Sequence, residues 1–182
     1  MRALDDLVRQ GKVRVLGCSN HSPAGLKAAL GLQARDRLAR FEFDQVQLSL
    51  AWPHAGRDLA GDCVSQGVSL LAWSPLGGGF LSGKYRRGRP RPPGRRQDPE
   101  GAFPELPEPR LDRFLDLLGK VAEAEAMTPA QAALGWVLGR PGVASAVLGC
   151  RTPEQLREDL GARPLSVHGA SLLERGSALA AA

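Results

Sequence analysis

Hydrophobic positions recur along the chain with two periods. Leu4, Leu7 and Val8 fall at i, i+3 and i+4, with Arg2, Asp5, Asp6 and Arg9 between them, which is one apolar stripe on a helix over 2–10. Gly11 supplies the stop after it. Leu111, Phe114, Leu115 and Leu118 repeat the helical spacing over 110–126. Further helices are predicted over 23–39, 57–66, 129–139 and 153–161, with a weaker one near the C-terminus. Short apolar runs at 13–18, 43–50, 68–73 and 144–148 read as strands.

Three of the helices open with the same device, a hydroxyl N-cap followed by proline at the first helical position: Ser22-Pro23, Thr128-Pro129 and Thr152-Pro153. Gln131 and Gln155 then stand where they complete capping boxes. Short apolar strands alternating with helices imply parallel pairing through right-handed crossovers. Val15-Leu16-Gly17-Cys18 leads to Ser22-Pro23 and Leu26, and Val147-Leu148-Gly149-Cys150 leads to Thr152-Pro153 and Leu156. By itself this echo is no more than two similar βα turns.

Composition changes the picture in three places. With 182 residues the prior is one domain, 1–182, and 43% hydrophobic with 24% charged residues is ordinary for a soluble protein. No apolar run is long enough to cross a bilayer and no signal-peptide pattern opens the chain, so no membrane partner is expected and the cytoplasm is the default. Cys18, Cys63 and Cys150 lack CxxC spacing, and His21, His54 and His168 are scattered, so small buried thiols and no metal are expected. Most of the net charge of +5 lies in the segment 84–110, where eight basic residues meet four acidic ones. That segment also holds seven of the 14 prolines. With Tyr85 and Phe103 as its aromatic residues, it suits a solvated loop near an anionic small molecule better than a nucleic-acid tail, so no nucleic acid is expected.

Four parallel strands fit a doubly wound sheet or a βα barrel. No GxGxxG follows the first strand, and Gly77-Gly78-Gly79 lacks the Lys-Ser/Thr of a P-loop. A barrel needs eight units and four are present, so the chain reads as half of a larger α/β architecture.

The stretches DLVRQGKVRVLGCSN, FDQVQLSL, LLAWSPLGGGFLSGKY, TPAQAALGWVL and GVASAVLGCRTPEQLREDLGA together resemble the C-terminal half of the aldo-keto reductase family, in the family's order and over nearly the whole chain. The resemblance implies a partial (β/α)8 TIM barrel whose four βα units correspond to strands five to eight. It also implies an oxidoreductase that reduces a small-molecule aldehyde or ketone by hydride transfer from NADPH. Ser19, Asn20 and Gln45 match the residues that grip the nicotinamide carboxamide; alone, Ser19 and Asn20 read equally as turn residues and Gln45 as an inward polar side chain. Trp73 matches an aromatic that stacks on the nicotinamide ring, or is a core tryptophan. Ser74, Pro75, Leu76 and Gly77 match the turn under the pyrophosphate, and the basic segment after them matches a loop folding over the cofactor. Gly149, Arg151 and Gln155 resemble the 2′-phosphate clamp that favours NADP over NAD, with Gln155 equally a capping residue. Asp159 departs from the asparagine usual at the adenine contact; it accepts hydrogen bonds but does not donate them.

The family's catalytic aspartate, tyrosine, lysine and histidine belong to its first four strands, so no catalytic residue is assigned in this chain. Tyr85 is set aside, because its neighbour Lys84 points away in an extended loop. Unpaired strand edges and an uncovered inner face invite self-association. Three readings follow. The first is the cofactor-binding half of a reductase, inactive alone and separated by truncation, frameshift or an internal start; Met1, standing at an ordinary helix position of the family, suits the last. The second is a non-catalytic NADP-binding half-barrel that pairs with itself or with a separately encoded N-terminal half. The third is a decayed remnant, against which the joint retention of Ser19, Asn20, Gln45, Trp73 and Arg151 argues.

Overall fold

The computed structural model describes residues 1–52, 54–84 and 109–181. In order these form α1 (Arg2–Arg9), β1 (Leu16–Ser19), α2 (Pro23–Arg35), β2 (Phe41–Gln47), α3 (His54–Ser65), β3 (Ser69–Trp73), a 3-10 turn (Gly77–Ser82), α4 (Pro109–Ala124), α5 (Pro129–Leu138), β4 (Val143–Val147), α6 (Pro153–Leu160) and α7 (Val167–Ala181). The basic, proline-rich stretch and Tyr85 lie outside the described residues. No helix among the described residues is long and apolar enough to cross a membrane.

The strands make one parallel sheet in the order β1-β2-β3-β4. This is the α/β arrangement the alternation predicts: consecutive strands are neighbours and a helical crossover joins each pair. The four units are those of a partial (β/α)8 barrel. One sheet face is covered. Val46, Leu48, Leu70 and Ala72 pack there against Leu26 of α2, Leu59 and Cys63 of α3, and residues of α4, α5 and α7. The alternation of side chains turns Phe43, Gln45, Gln47, Leu71 and Trp73 to the other face, where all five are half-buried.

Two one-residue slips keep this sorting in register. Leu16 pairs with Phe41 but Gly17 with Phe43, and Leu70 pairs with Val143 but Leu71 with Ser145. The extra residues, Glu42 and Ala144, are bulges. Without the first, Phe41 could not join Leu16 and Ala29 in the smaller core cluster while Phe43 faces the opposite way. Gly17 makes room for Phe43, because a Cβ there would come 2.1 Å from the ring. Gly17→Ala is therefore expected to destabilise by about 1–3 kcal/mol through overpacking. Gly31→Ala, in an exposed interior position of α2 with nothing within 4 Å, is expected to stabilise by roughly 0.5–1 kcal/mol. Opposite shifts of the urea midpoint check both, and shifts of the same sign would sink the close approach of Phe43 to β1.

Two predicted details differ. The polar position of α1 is its most buried one: Asp5 is buried while Leu4 is 39% exposed. The Asp5 carboxylate accepts from the Ala39 backbone N–H at 2.8 Å and from Arg9 Nε at 2.6 Å, tying α1 to the segment entering β2. These bonds hold its pKa below the usual carboxylate value, the Ala39 N–H being the larger cause. The two capping boxes also divide. Thr128 and Gln131 form the full reciprocal pair. In α6 the Thr152 hydroxyl accepts from Gln155 N, but Gln155 Oε1 takes the N–H of Arg151, one residue before the cap.

Candidate functional site

The C-terminal ends of the parallel strands lie along one edge of the sheet, and the predicted site residues line it. Ser19 and Gln45 are register partners on β1 and β2. The Gln45 backbone carbonyl accepts from Ser19 Oγ at 2.9 Å and from the Asn20 N–H at 3.1 Å, which pins the turn leaving β1. Asn20 adopts φ 55, a left-handed conformation that asparagine tolerates better than most residues. From there its Oδ1 accepts from Trp73 Nε1 of β3 at 3.1 Å, across β2. Indole is a donor alone, so the bonded Asn20 atom is its oxygen and the amide NH2 points elsewhere.

Beyond Trp73 the chain turns sharply. Ser74 takes φ 54, its carbonyl accepts from Gly77 N at 2.9 Å, and Gly77, Gly78 and Gly79 all have positive φ. A succession of such residues aims backbone N–H groups into a concavity that suits anions. Pro75 and Gly77 are buried and Leu76 is half-buried beside the main core. A Cβ at Gly77 would meet the Trp52 ring at 3.2 Å, so the turn is closely backed.

The second group sits one strand further along. Trp73 pairs with Val147, and Gly149, Cys150 and Arg151 follow on the way into α6. An added Cβ at Gly149 meets nothing within 4 Å, and Arg151 is exposed. Gln155 carries out the capping described above. Asp159, on the last turn of α6, accepts from Cys150 Sγ at 3.2 Å, so it braces this turn from behind. Burial is the main reason that the pKa values of Asp159 and Cys150 both lie above their ordinary values.

All three cysteines are free, and Cys63 is fully buried as expected. Burial pushes the Cys63 thiol up to about 11 and the Cys18 thiol up to about 12. One association escaped the sequence reading: Cys18, His21 and Asp44 meet on the helix side of the sheet, their candidate ligand atoms within 4.8 Å of one another. The Cys18-x-x-His21 spacing was a signal, but Asp44 joins them solely through strand register. Burial raises the Asp44 pKa.

A family model described as "Aldo/keto reductase family" matches residues 1–173. The chain belongs to the aldo/keto reductase family. It is 32% identical over 165 residues to "Uncharacterized oxidoreductase YrpG" of Bacillus subtilis, covering 91% of this chain and 48% of that protein. It is 34% identical over 158 residues to "Protein tas" of Escherichia coli, covering 87% and 45%. Similarity of 32% over 173 residues extends to a "Putative voltage-gated potassium channel subunit beta" of Schizosaccharomyces pombe, covering 89% and 48%. The chain spans about half the length of the curated relatives it matches. The sheet presents its polar residues where βα barrels carry their sites, at the C-terminal strand ends.

Proposed function

We propose that this chain supplies the NADP(H)-binding half of an aldehyde- or ketone-reducing site, with the family's catalytic Asp/Tyr/Lys/His group contributed from outside the residues seen here. The observation that carries this reading is the hydrogen-bond chain from Gln45 through Ser19 and Asn20 to Trp73. Ser19 spends its hydroxyl proton on the Gln45 carbonyl and keeps oxygen lone pairs to accept with. Asn20 spends its oxygen on Trp73 and keeps its NH2 to donate with. One acceptor beside one donor on a single turn complements a carboxamide, which offers an NH2 and a C=O. Trp73 is half-buried on the side of the sheet away from the helix layer and offers a ring face there.

The other parts fit the rest of the same cofactor. In the turn from Ser74 to Gly79 the N–H groups of Gly77 and Gly79 are bonded to the Ser74 and Leu76 carbonyls, which leaves those of Leu76 and Gly78 for a pyrophosphate, and Arg151 with the N-terminus of α6 offers positive charge to a 2′-phosphate. Three strand spacings, about 14 Å, separate the β1 end from the β4 end, which suits an extended dinucleotide rather than a compact one. When bound, NADPH supplies the hydride; this chain's residues orient the ring and hold the phosphates. A second reading, cofactor binding without turnover by paired half-barrels, is favoured by the exposed inner-face Val147 (41%) and by the outer edges of β1 and β4, which pair with no further strand among the described residues.

Titration of the purified chain with NADPH, followed by nicotinamide fluorescence, tests the binding site. Asn20→Asp keeps the acceptor for Trp73 and a side chain that tolerates φ 55, but removes the NH2. It is expected to weaken binding about 3- to 10-fold, the value of one hydrogen bond. Micromolar binding that Asn20→Asp leaves unchanged would refute the carboxamide assignment. Carbonyl reduction by the chain alone would refute the division of the catalytic group from the cofactor site.

A further inference from the structure

We propose that Cys18, His21 and Asp44 form a binding site for one zinc-class divalent cation, set in the sheet wall directly behind the Ser19–Asn20 turn. The frame is the backbone itself. Cys18 and Asp44 stand opposite each other in the parallel β1–β2 register, and His21 returns three residues after Cys18, just before the Ser22 cap of α2. The three candidate ligand atoms lie within 4.8 Å of one another. Around a tetrahedral zinc, with bonds of about 2.0–2.3 Å, they would stand about 3.3–3.8 Å apart, so a closure of about 1 Å by side-chain rotation completes the set.

What separates this cluster from an ordinary polar contact is an unmet need. Asp44 is 0% exposed, and neither of its carboxylate oxygens has a partner at full hydrogen-bond geometry; the Cys18 thiol and the His21 and Asn20 backbone N–H groups stand close enough only to offset part of the cost of its burial. His21 Nδ1 is buried without a partner as well. Elsewhere among the described residues Asp5 is bonded to Ala39 N, Gln33 to Phe41 N, Ser49 to Trp52 N and Ser177 to Leu50 O, and the other buried polar atoms without a partner, Asp112 Oδ1 and Trp136 Nε1, belong to no cluster of ligand-type side chains. Leaving a carboxylate buried and unpartnered is costly, and a bound cation removes that cost.

The donor set selects the ion. Sulfur, imidazole nitrogen and a single carboxylate suit zinc or cobalt(II), whereas calcium and magnesium require oxygen donors throughout. Coordination sends the thiol proton to solvent and leaves a fourth position for water. Half-buried Cys18 and His21, on the edge strand and the turn after it, provide the way in. Because Ser19 and Asn20 lie between Cys18 and His21 in the chain, the metal would clamp both ends of the turn proposed to hold the carboxamide.

The test uses the purified full chain loaded with zinc(II), passed over a weak chelator and assayed by elemental analysis, with cobalt(II) as a spectroscopic substitute. The expected result is about one equivalent retained per chain, and a near-ultraviolet thiolate-to-cobalt band. Cys18→Ser should abolish the band, and the isosteric Asp44→Asn should lower retention at least about tenfold. Cys150→Ser and His168→Gln should leave both unchanged. A zinc-dependent rise in Tm that wild type shows and Asp44→Asn lacks would support the site even if Cys18→Ser folds poorly. No retained metal in wild type, or retention unaffected by both ligand variants, overturns the proposal. NADPH affinity enters none of these readouts, so the metal site and the cofactor site stand or fall separately.

Discussion

Leu70→Ala is expected to lower the free energy of unfolding by about 3–5 kcal/mol, measured as a fall in urea midpoint at constant m-value. Leu70 is 0% exposed at the second position of β3, between Asp44 of β2 and Val143 of β4 in the register. Its backbone N–H donates to Gly142 O at 2.7 Å, and its side chain reaches to 4.0 Å from the place where a Gly142 Cβ would stand. The backbone on both sides is fixed by ladders, so the site has little freedom to collapse around the lost methyl groups. The transfer loss and the cavity term then add. Against a total of about 5–15 kcal/mol for a small domain, this removes a large share. Leu160→Ala, 71% exposed at the end of α6, is the control and should change stability by less than about 0.5 kcal/mol. Equal small effects from both would mean that the helix layer does not pack on the sheet in solution.

The periodicity of the chain fixes which elements exist and on which side of the sheet they lie, and three capped helix starts are readable to the residue. Boundaries slip where a partner decides them. The first strand is predicted from residue 13 and begins at Leu16, because Val13 N bonds to Leu7 O and Val15 is 55% exposed, with no strand beside it. The second helix is predicted to residue 39 and ends at Arg35. Arg37 there takes φ 54 and Leu38 N bonds back to Gln33 O, a left-handed exit without the glycine that usually signals one. The 3-10 turn at Gly77–Ser82 is hidden by its glycines, which announce freedom without saying how it is used. Of the cofactor residues, the types and order are legible; the hydrogen-bond direction that makes Ser19 an acceptor and Asn20 a donor is not, since it depends on the β1–β2 register for Ser19 and on the reach from β1 to β3 for Asn20. The Cys18–His21–Asp44 association is the least legible, because spacing brings together only Cys18 and His21 and the register of two strands adds Asp44.

Arg151→Ala is expected to weaken NADPH binding about 5- to 30-fold while leaving NADH within about twofold, the difference being one charge-assisted contact of roughly 1–2 kcal/mol at an exposed position. The lower end of the usual range applies because solvent screens an arginine that is open to water. Three features of this turn still favour a phosphate. Among the described residues the Arg151 guanidinium makes no ion pair, so it is not already spent. Its backbone N–H is held by Gln155 Oε1 at 2.9 Å, which fixes where the side chain starts. Glu154, the acidic residue that would repel an anion at this helix start, is paired with Arg157 at 3.2 Å. Arg151→Lys keeps the charge but loses the planar fork, so its affinity should fall between wild type and alanine. Raised salt should weaken NADPH binding more in wild type than in Arg151→Ala, since the screened contact is then absent from the variant. A parallel loss of NADPH and NADH affinity would mean that Arg151 supports the turn rather than the 2′-phosphate. No loss of either would place the phosphate elsewhere and leave the cofactor's adenine end without its proposed anchor.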